Sequence, residues 1–406
     1  MAVQEISGMR PEARKTSFLN NPTTRSIAAQ VILSLAIVGA LWIIVTNTQA
    51  NLERQNIASG FGFLGNTAGF GITQTLIDYA ETSSYGRTFV VGLLNTILVS
   101  FFGIIFATIL GFAIGIARLS NNWVISRLAT VYVEVMRNLP LLLQIFFWYF
   151  AVLRALPQKR DKLSLFDTFH INITGFRGPA PVYNDGSSVV VIGFFLAIAG
   201  AFVLARWAKK RRDKTGQQFP TGWAVLGLII GVPFVLFLAM GMPIGLQFPV
   251  FNETGPILQR GFESDVGFRL IPEFIALFLA LSTYTAAFIA EIVRAGILAV
   301  NRGQSEASHA LGLRNGPTLR LVIIPQAMRV IIPPLTSQYL NLTKNSSLAV
   351  AIAYPDLVSV FAGTTLNQTG QAIEILSMTM LVYLTLSLLT SLFMNWFNAQ
   401  MALVER

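Results

Sequence analysis

The chain has 406 residues, of which 53% are hydrophobic and only 12% are charged, whereas an ordinary soluble domain has about 25% charged residues. This composition excludes a typical water-soluble protein and predicts a multi-span membrane protein. The formal net charge of +10 comes from basic residues beside apolar segments, which argues against a nucleic-acid partner, and the absence of cysteine with only two histidines argues against a metal site.

Eight apolar runs, each close to the roughly 20 residues that cross a bilayer, predict an all-α integral membrane protein with about eight transmembrane helices. The first run follows basic residues and ends near Thr48-Gln49-Ala50, which resembles a signal-peptidase site. Its apolar core is longer than that of a signal peptide, so we expect an uncleaved first span. The predicted spans are 27–46, 88–117, 133–156, 188–206, 221–242, 272–300, 328–354 and 375–398.

The lysines and arginines of the connections predict the orientation of these spans. With the N-terminus inside, the cytoplasmic connections carry more basic residues than the outer loops, as the positive-inside rule requires. A cluster of six basic residues between Arg206 and Lys214 decides the assignment, although Lys159, Arg160 and Lys162 fall in an outer loop. Both termini and the loop 301–332 are therefore predicted to be cytoplasmic.

The segment Tyr132–Gln144 leads into the third predicted span. Glu134 and Arg137 are three residues apart on a predicted helix, so they can pair near the inner membrane surface. Pro140 should distort the helix as it enters the membrane, because proline lacks the backbone N–H that a helix interior needs.

The polar loop between the sixth and seventh spans predicts a helix–turn–helix at the cytoplasmic surface. Asn301 and Gln304 have the spacing of a capping box, and Gly312 suits a helix C-cap, so residues 302–311 are predicted to form the first short helix. Gly316-Pro317 is predicted to start the second short helix.

Within this loop, Ala307, Ala310 and Leu311 are spaced to share one small, shallow face that could enter a groove on a partner. Glu306 is predicted to lie in the first helical turn, where its charge would complement the helix dipole. Pro325 is predicted to bend the chain before it returns to the membrane. The alternative is that any loop between spans can hold such a helix, with Glu306 simply a favourable residue there.

The loop and its flanks resemble the cytoplasmic coupling loop of the permease subunits of bacterial ABC importers, and in particular the polar amino acid permease family. The segment around Pro140 also resembles this family. Two departures are Ser308 in place of a second alanine and Asn345 in place of an acidic residue. The matching motifs are Glu291-Ile292-Val293-Arg294, Gly303-Gln304, Glu306-Ala307-Ser308, Gly312, Pro325-Gln326-Ala327 and Lys344-Asn345-Ser346-Ser347-Leu348.

This resemblance implies a type I ABC importer transmembrane fold. Residues 1–87 would comprise the cytoplasmic N-terminus, the first span and an outer loop, and residues 88–400 the transmembrane domain. An inserted region, 157–271, would add two spans, and residues 302–324 would be the coupling helices. The ATPase-coupling residues implied are Gly303, Gln304, Glu306, Ala307, Gly312 and Pro325.

The same resemblance implies a permease subunit that translocates L-amino acids across the bacterial inner membrane. The length and layout are similar to those of the larger permeases for general L-amino acids or for glutamate, glutamine, aspartate and asparagine. The implied partners are two ATPase subunits, a second permease (a paralogue or a second copy), a periplasmic binding protein and membrane lipid. No P-loop motif occurs, so ATP and Mg²⁺ would be used by the ATPase, with no cofactor bound by this chain.

An amino acid crossing the membrane needs hydrogen-bond donors and acceptors in a sheltered cavity, and ionisable residues at membrane depth are functional candidates. The alternatives are that Glu291 only pairs with Arg294, that Lys344 reaches the membrane surface, and that the amide and hydroxyl groups join helices. The candidate substrate-pathway residues are Lys344, Asn341, Asn345, Ser346, Glu291, Thr283 and Asn95.

Two other classes of protein have a similar composition. A secondary transporter would also show eight spans and charges at membrane depth, but would have no need of a capped helix pair in one cytoplasmic loop. A membrane enzyme would need a catalytic set, and the sequence shows no Ser/His/Asp, H-E-x-x-H or paired-carboxylate cluster. We therefore expect no catalytic residues.

Overall fold

A computed structural model of the chain describes residues 22–54, 59–253, 260–263 and 266–401. Within these ranges, seven helices are long and apolar enough to cross a membrane, and an eighth span results if one sharply bent helix pair is counted. The predicted helical membrane fold with about eight spans is confirmed. The predicted cytoplasmic N-terminal segment before residue 22 lies outside the described residues.

The elements are numbered in chain order. The helices are α1 (Pro22–Arg54), α2 (Tyr85–Ala117), α3 (Trp123–Asn138), α4 (Leu141–Phe146), α5 (Ser187–Thr215), α6 (Thr221–Ala239), α7 (Pro272–Leu298), α8 (Arg302–Ala310), α9 (Asn315–Thr318), α10 (Ile324–Asn345), α11 (Leu366–Thr369) and α12 (Ala372–Met401). The strands are β1 (Leu163–Leu165), β2 (Phe169–Asn172), β3 (Gly175–Gly178), β4 (Ala180–Tyr183), β5 (Ile244–Gln247), β6 (Phe251–Asn252), β7 (Gly261–Phe262) and β8 (Phe268–Leu270).

Helix α7 is the centre of the bundle and packs against α2, α3, α4 and α10. Glycines bring the backbones of α2 and α7 together: a Cβ at Gly115 would lie 2.7 Å from the carbonyl oxygen of Ala290. Small residues at a helix crossing allow this close approach, which is how helices associate in a membrane without a hydrophobic driving force. The core of the protein therefore lies along α7.

The third predicted span, 133–156, begins too early. Its first residues belong to α3, which meets the segment Leu141–Ala155 at an angle of 108°. The break falls at Pro140, as expected, because the proline cannot donate the hydrogen bond that would continue α3. After α4, the segment continues as a π-helical turn and a 3₁₀ turn.

The pair that Glu134 and Arg137 could form by their spacing is not among the ion pairs of the described residues. Arg137 instead lies over the ring of Phe288 on α7, with its guanidinium carbon 5.4 Å from the ring centroid. The cation is attracted to the face of the aromatic ring, and this contact joins α3 to α7.

The inserted region contains a helical hairpin, α5 and α6, whose two helices pack chiefly against each other. Gly193 makes this possible, because a Cβ there would collide with Leu236. Helix α5 extends to Thr215, beyond the predicted end of the span at 206, so the cluster of six basic residues is helical rather than a loop. Gly216, with φ of 69°, ends the helix in a left-handed conformation.

The inserted region also forms strands on both sides of the hairpin, which the sequence analysis did not predict. An antiparallel sheet has the order β1-β2-β3-β8, and two ribbons pair β4 with β5 and β6 with β7. His170 is buried in this sheet, and the loss of water around it, aided by the positive charge of Lys162, lowers the pKa of its imidazole. We call the end of the bundle that carries this sheet the sheet end, and the opposite end the α8 end.

The predicted outer loop 355–374 is largely not a loop. Residues Val358–Thr365 form π-helical turns that continue into α11 and pack against α2. Gly92 permits the contact, since a Cβ there would lie 2.9 Å from the Cα of Leu357. Asp356 at the start of this segment is fully buried, and its Oδ1 accepts a hydrogen bond from the Ser359 N–H at 2.8 Å.

Candidate functional site

Helix α8 begins and ends much as its sequence predicts. The side-chain oxygen of Asn301 accepts a hydrogen bond from the Gly303 N–H at 2.8 Å, so Asn301 is the N-cap. At the other end, Gly312 has φ of 79° and its N–H donates to the carbonyl of His309 at 2.9 Å. The Leu313 N–H donates to the carbonyl of Ser308 at 3.1 Å, which completes a Schellman motif.

Side-chain contacts hold α8 against the chain that follows it. Gln304 does not close the expected capping box, because its side-chain oxygen accepts a hydrogen bond from Gln326 of α10 at 3.2 Å. Nε2 of His309 and Oδ1 of Asn315 are 2.9 Å apart, and this contact links α8 to α9. Ser308, the departure from the family pattern, is 4% exposed and faces inward, where a small residue fits.

The outward face of α8 is open to solvent. Glu306, Ala307 and Ala310 are exposed, and Leu311 is 83% exposed. The placement of Glu306 in the first turn is wrong, because the helix starts at Arg302 and its first turn contains no acidic residue. Glu306 is therefore a charged group beside a shallow apolar face, rather than a partner of the helix dipole.

The second half of the loop differs from its prediction. Helix α9 is only Asn315–Thr318, and it passes through a π-helical turn, Leu319–Ile323, into α10. Residues Asn315–Ile352 form one continuous candidate span, so Pro325 does not mark a break. The widened turn ahead of Pro325 falls where proline disturbs the regular hydrogen bonds of a helix.

Two of the predicted substrate-pathway residues share a cleft. Asn341 and Asn345 of α10 line a cleft of about 270 Å³ that faces α7. Gln338, which the sequence analysis missed, lies three and seven residues before them, the spacing of one helix face. Lys344 is exposed and does not line the cleft. The other lining residues are Tyr284, Thr285 and Phe288.

Thr283 and Ser346 are satisfied within their own helical segments. The hydroxyl of Thr283 donates to the carbonyl of Leu279 at 2.6 Å, and that of Ser346 donates to the carbonyl of Thr343 at 2.7 Å. Neither lines the cleft. Their polarity therefore does not contribute to the surface that Asn341 and Asn345 form.

Asn95 is fully buried at the sheet end, away from the cleft. Its amide nitrogen donates to the carbonyls of Gln74 at 2.9 Å and Pro355 at 2.8 Å. These bonds fasten the segment around Asp356 to α2, which is the interhelical role that amide side chains commonly have in membranes.

Glu291 forms ion pairs with two arginines near the α8 end. Its carboxylate contacts Arg118, which follows α2, and Arg294 of its own helix, with 2.6 Å between Oε1 and the Arg294 Nη2. The alternative to a substrate-pathway role, in which Glu291 pairs with Arg294, is thus observed, with Arg118 as a further partner. With two arginines beside it, Glu291 links α7 to the end of α2 rather than facing the cleft.

The sequence is similar to a known protein family and to several individual proteins. Residues 103–403 match the family described as "Binding-protein-dependent transport system inner membrane component". The chain is 54% identical to the general L-amino acid transport system permease protein AapQ of Rhizobium johnstonii, over 96% of this chain and 95% of that protein.

Two further relatives are similar over nearly their whole length. The chain is 53% identical to the putative amino-acid ABC transporter permease protein YhdX of Escherichia coli K12, over 99% of this chain and 100% of that protein. It is 42% identical to the glutamate/glutamine/aspartate/asparagine transport system permease protein BztB of Rhodobacter capsulatus, over 94% and 95% respectively.

Proposed function

The chain belongs to the family of binding-protein-dependent transport system inner membrane components, and from this membership we propose that it is the permease subunit of an ATP-driven importer of L-amino acids. It is a multi-pass membrane protein, and we place it in the bacterial inner membrane with the α8 end in the cytoplasm. The observation that carries the proposal is the exposed face of α8, which offers a capped, rigid helix to a partner.

The energy for transport would come from two ATPase subunits that hold α8. ATP binding would close these subunits and draw the permease pair towards an outward-open state, and hydrolysis would return it to an inward-open state. Helix α8 is fixed to α10 by the Gln304–Gln326 hydrogen bond, so a displacement of α8 would be transmitted to a span that lines the cleft.

The substrates would be polar L-amino acids, delivered to the sheet end by a periplasmic binding protein. The amide groups of Gln338, Asn341 and Asn345 can both donate and accept hydrogen bonds, so the cleft suits a polar solute. A second permease, either a paralogue or a second copy, would complete the translocation path. ATP and Mg²⁺ would be used by the ATPase, with no cofactor bound by this chain.

The exposed face of α8 provides the test. The substitution Glu306→Arg should lower ATP-dependent amino-acid uptake about tenfold or more, because it reverses a charge at the centre of the proposed contact. It should also reduce co-purification of the ATPase with the permease. Lys210→Glu, an exposed charge reversal on α5, is the matched control. If Glu306→Arg left both uptake and ATPase association at the level of the control, α8 would not be the coupling element.

A further inference from the structure

A second cavity lies at the sheet end, outside the residues that the sequence motifs identify. It has a volume of about 320 Å³ and opens between the end of the third span, the start of α7 and the turn between β2 and β3. Sites for small molecules typically have volumes of about 300–1,000 Å³, so the cavity is large enough for an amino acid. Its lining includes Tyr149, Leu153, Arg154, Gln158, Ile173 and Glu273.

The cavity holds one acidic and one basic side chain, and Tyr149 contacts both of them. The Tyr149 hydroxyl donates to Oε1 of Glu273 at 2.9 Å. The guanidinium carbon of Arg154 lies 5.9 Å from the centroid of the Tyr149 ring and 5.4 Å from that of Phe150. In the part of the chain that the structure describes, neither Arg154 nor Glu273 forms an ion pair. Each charge contacts Tyr149, and neither is balanced by an opposite charge within those described residues.

The inserted region, 157–271, forms one wall of this cavity and contacts the start of α7. Gln158 and Ile173 come from the insert, whereas Glu273 lies in the first turn of α7. Gly175 allows the turn to approach the start of α7, because a Cβ there would collide with the carbonyl oxygen of Leu270. Arg269 adds a hydrogen bond to the carbonyl of Thr174 at 3.1 Å. The wall of the insert is thus fixed relative to Glu273.

We propose that this cavity is an outer binding site for the zwitterionic backbone of an L-amino acid, with Glu273 contacting the α-ammonium and Arg154 the α-carboxylate. A simple cation or anion would leave one of the two protein charges uncompensated, whereas a zwitterion satisfies both. Guanidinium groups match carboxylates in geometry, and such charge-assisted hydrogen bonds are among the stronger ones in proteins. The proposal rests on the proposed function and assigns the place where the permease first holds the solute after its delivery.

The test is direct binding of radiolabelled L-glutamine to the complex of the permease with its ATPase in lipid nanodiscs, without the binding protein. Glu273→Gln keeps an acceptor for Tyr149 but removes the charge, and Arg154→Gln removes the opposite charge. Each should weaken binding about tenfold or more, the scale of a charge-assisted hydrogen bond. Arg160→Gln and Asp161→Asn neutralise exposed charges on the same segment outside the cavity, and both should bind as the unmodified protein does.

Two probes make the result specific to the zwitterion. N-acetyl-L-glutamine lacks the ammonium and L-glutamine amide lacks the carboxylate, so neither should compete with L-glutamine. Should Arg154→Gln fail to assemble with the ATPase, Arg154→Lys keeps the charge and should bind more tightly than the neutral Glu273→Gln variant. Binding by the Glu273 and Arg154 variants at the level of the controls, or equal competition by either probe, would overturn the site.

Uptake with the binding protein present separates this proposal from the function on which it rests. If the unmodified system imports no amino acid, the proposed function fails. If it imports L-glutamine and the Glu273 and Arg154 variants bind and import it as the controls do, the outer site alone fails. Reduced import with unchanged binding would also overturn the site, because it would assign these residues to contact with the binding protein.

Discussion

Asn345 lines the cleft between α7 and α10, whereas Lys344, its neighbour in sequence, is exposed and lies outside that cleft. In a helix, successive residues point in directions about 100° apart, so adjacent polar residues can have unrelated environments. The charge of Lys344 made it the more obvious candidate in the sequence. The direction in which each side chain points depends on how α10 packs against α7. It places the amide of Asn345 in the cleft and the charge of Lys344 outside it.

We expect Asn345→Leu to lower amino-acid uptake about tenfold, because an amide that can hydrogen-bond a solute in the cleft is replaced by a side chain that cannot. Lys344→Gln should leave uptake within about twofold of the unmodified protein, since this side chain lies outside the cleft. Initial rates of uptake at equal amounts of permease in the membrane would measure both effects. A larger loss for Lys344→Gln than for Asn345→Leu would contradict this placement.

Residues whose roles depend on local sequence were predicted better than those whose partners are distant. Asn301 and Gly312 are caps, and their functions follow from the few residues beside them. Glu134 and Arg137 have suitable spacing for a pair, but Phe288 on another helix is the partner that Arg137 contacts. No local pattern could have identified that ring.

At the scale of elements, glycines determine how closely the spans pack. Gly111 and Gly115 lie on the face of α2 that meets α7, and Gly296 lets α7 approach Ile331 of α10. Helices α2, α7 and α10 are therefore closely packed near the α8 end. A movement of α8 would therefore act on helices that are in close contact.

Gly115→Ala should destabilise the bundle by about 1–3 kcal/mol, the usual effect of adding atoms to a close-packed site. The new Cβ would lie 2.7 Å from the carbonyl oxygen of Ala290, which is backbone and cannot rotate away. Gly231→Ala on α6 is the control, because no atom lies within 4 Å of the added Cβ. Thermal unfolding in lipid nanodiscs would compare them, and equal midpoints would contradict the packing of α2 on α7.

The strands and the helical segment 358–369 were not predicted, and the physical reason is the same for both. Phe268 of β8 pairs with Gly178 of β3 across the whole α5–α6 hairpin, and strands of two to four residues carry little pattern of their own. The segment around Asp356 is held by Asn95 and Thr96 of a distant helix. The apolar spans, in contrast, follow from composition alone.

At the scale of the whole molecule, polar features concentrate at the two ends of an apolar bundle. The α8 end presents an exposed helix to a partner, and the sheet end carries the cavity of Arg154 and Glu273. The cleft of Asn341 and Asn345 lies between α7, which precedes α8 in the chain, and α10, which follows α8 after α9 and a π-helical turn. This order suits a solute that enters at one end while energy is applied at the other.

Reconstituted transport tests the central claim most directly. The permease, its ATPase and its binding protein would be placed in liposomes, and uptake of radiolabelled L-glutamine would be followed with ATP supplied on the α8 side. We expect uptake to require ATP and to cease when the ATPase is replaced by a variant that cannot hydrolyse it. Uptake that continued without the ATPase, driven by an imposed ion gradient, would contradict an ATP-driven importer and identify a secondary transporter.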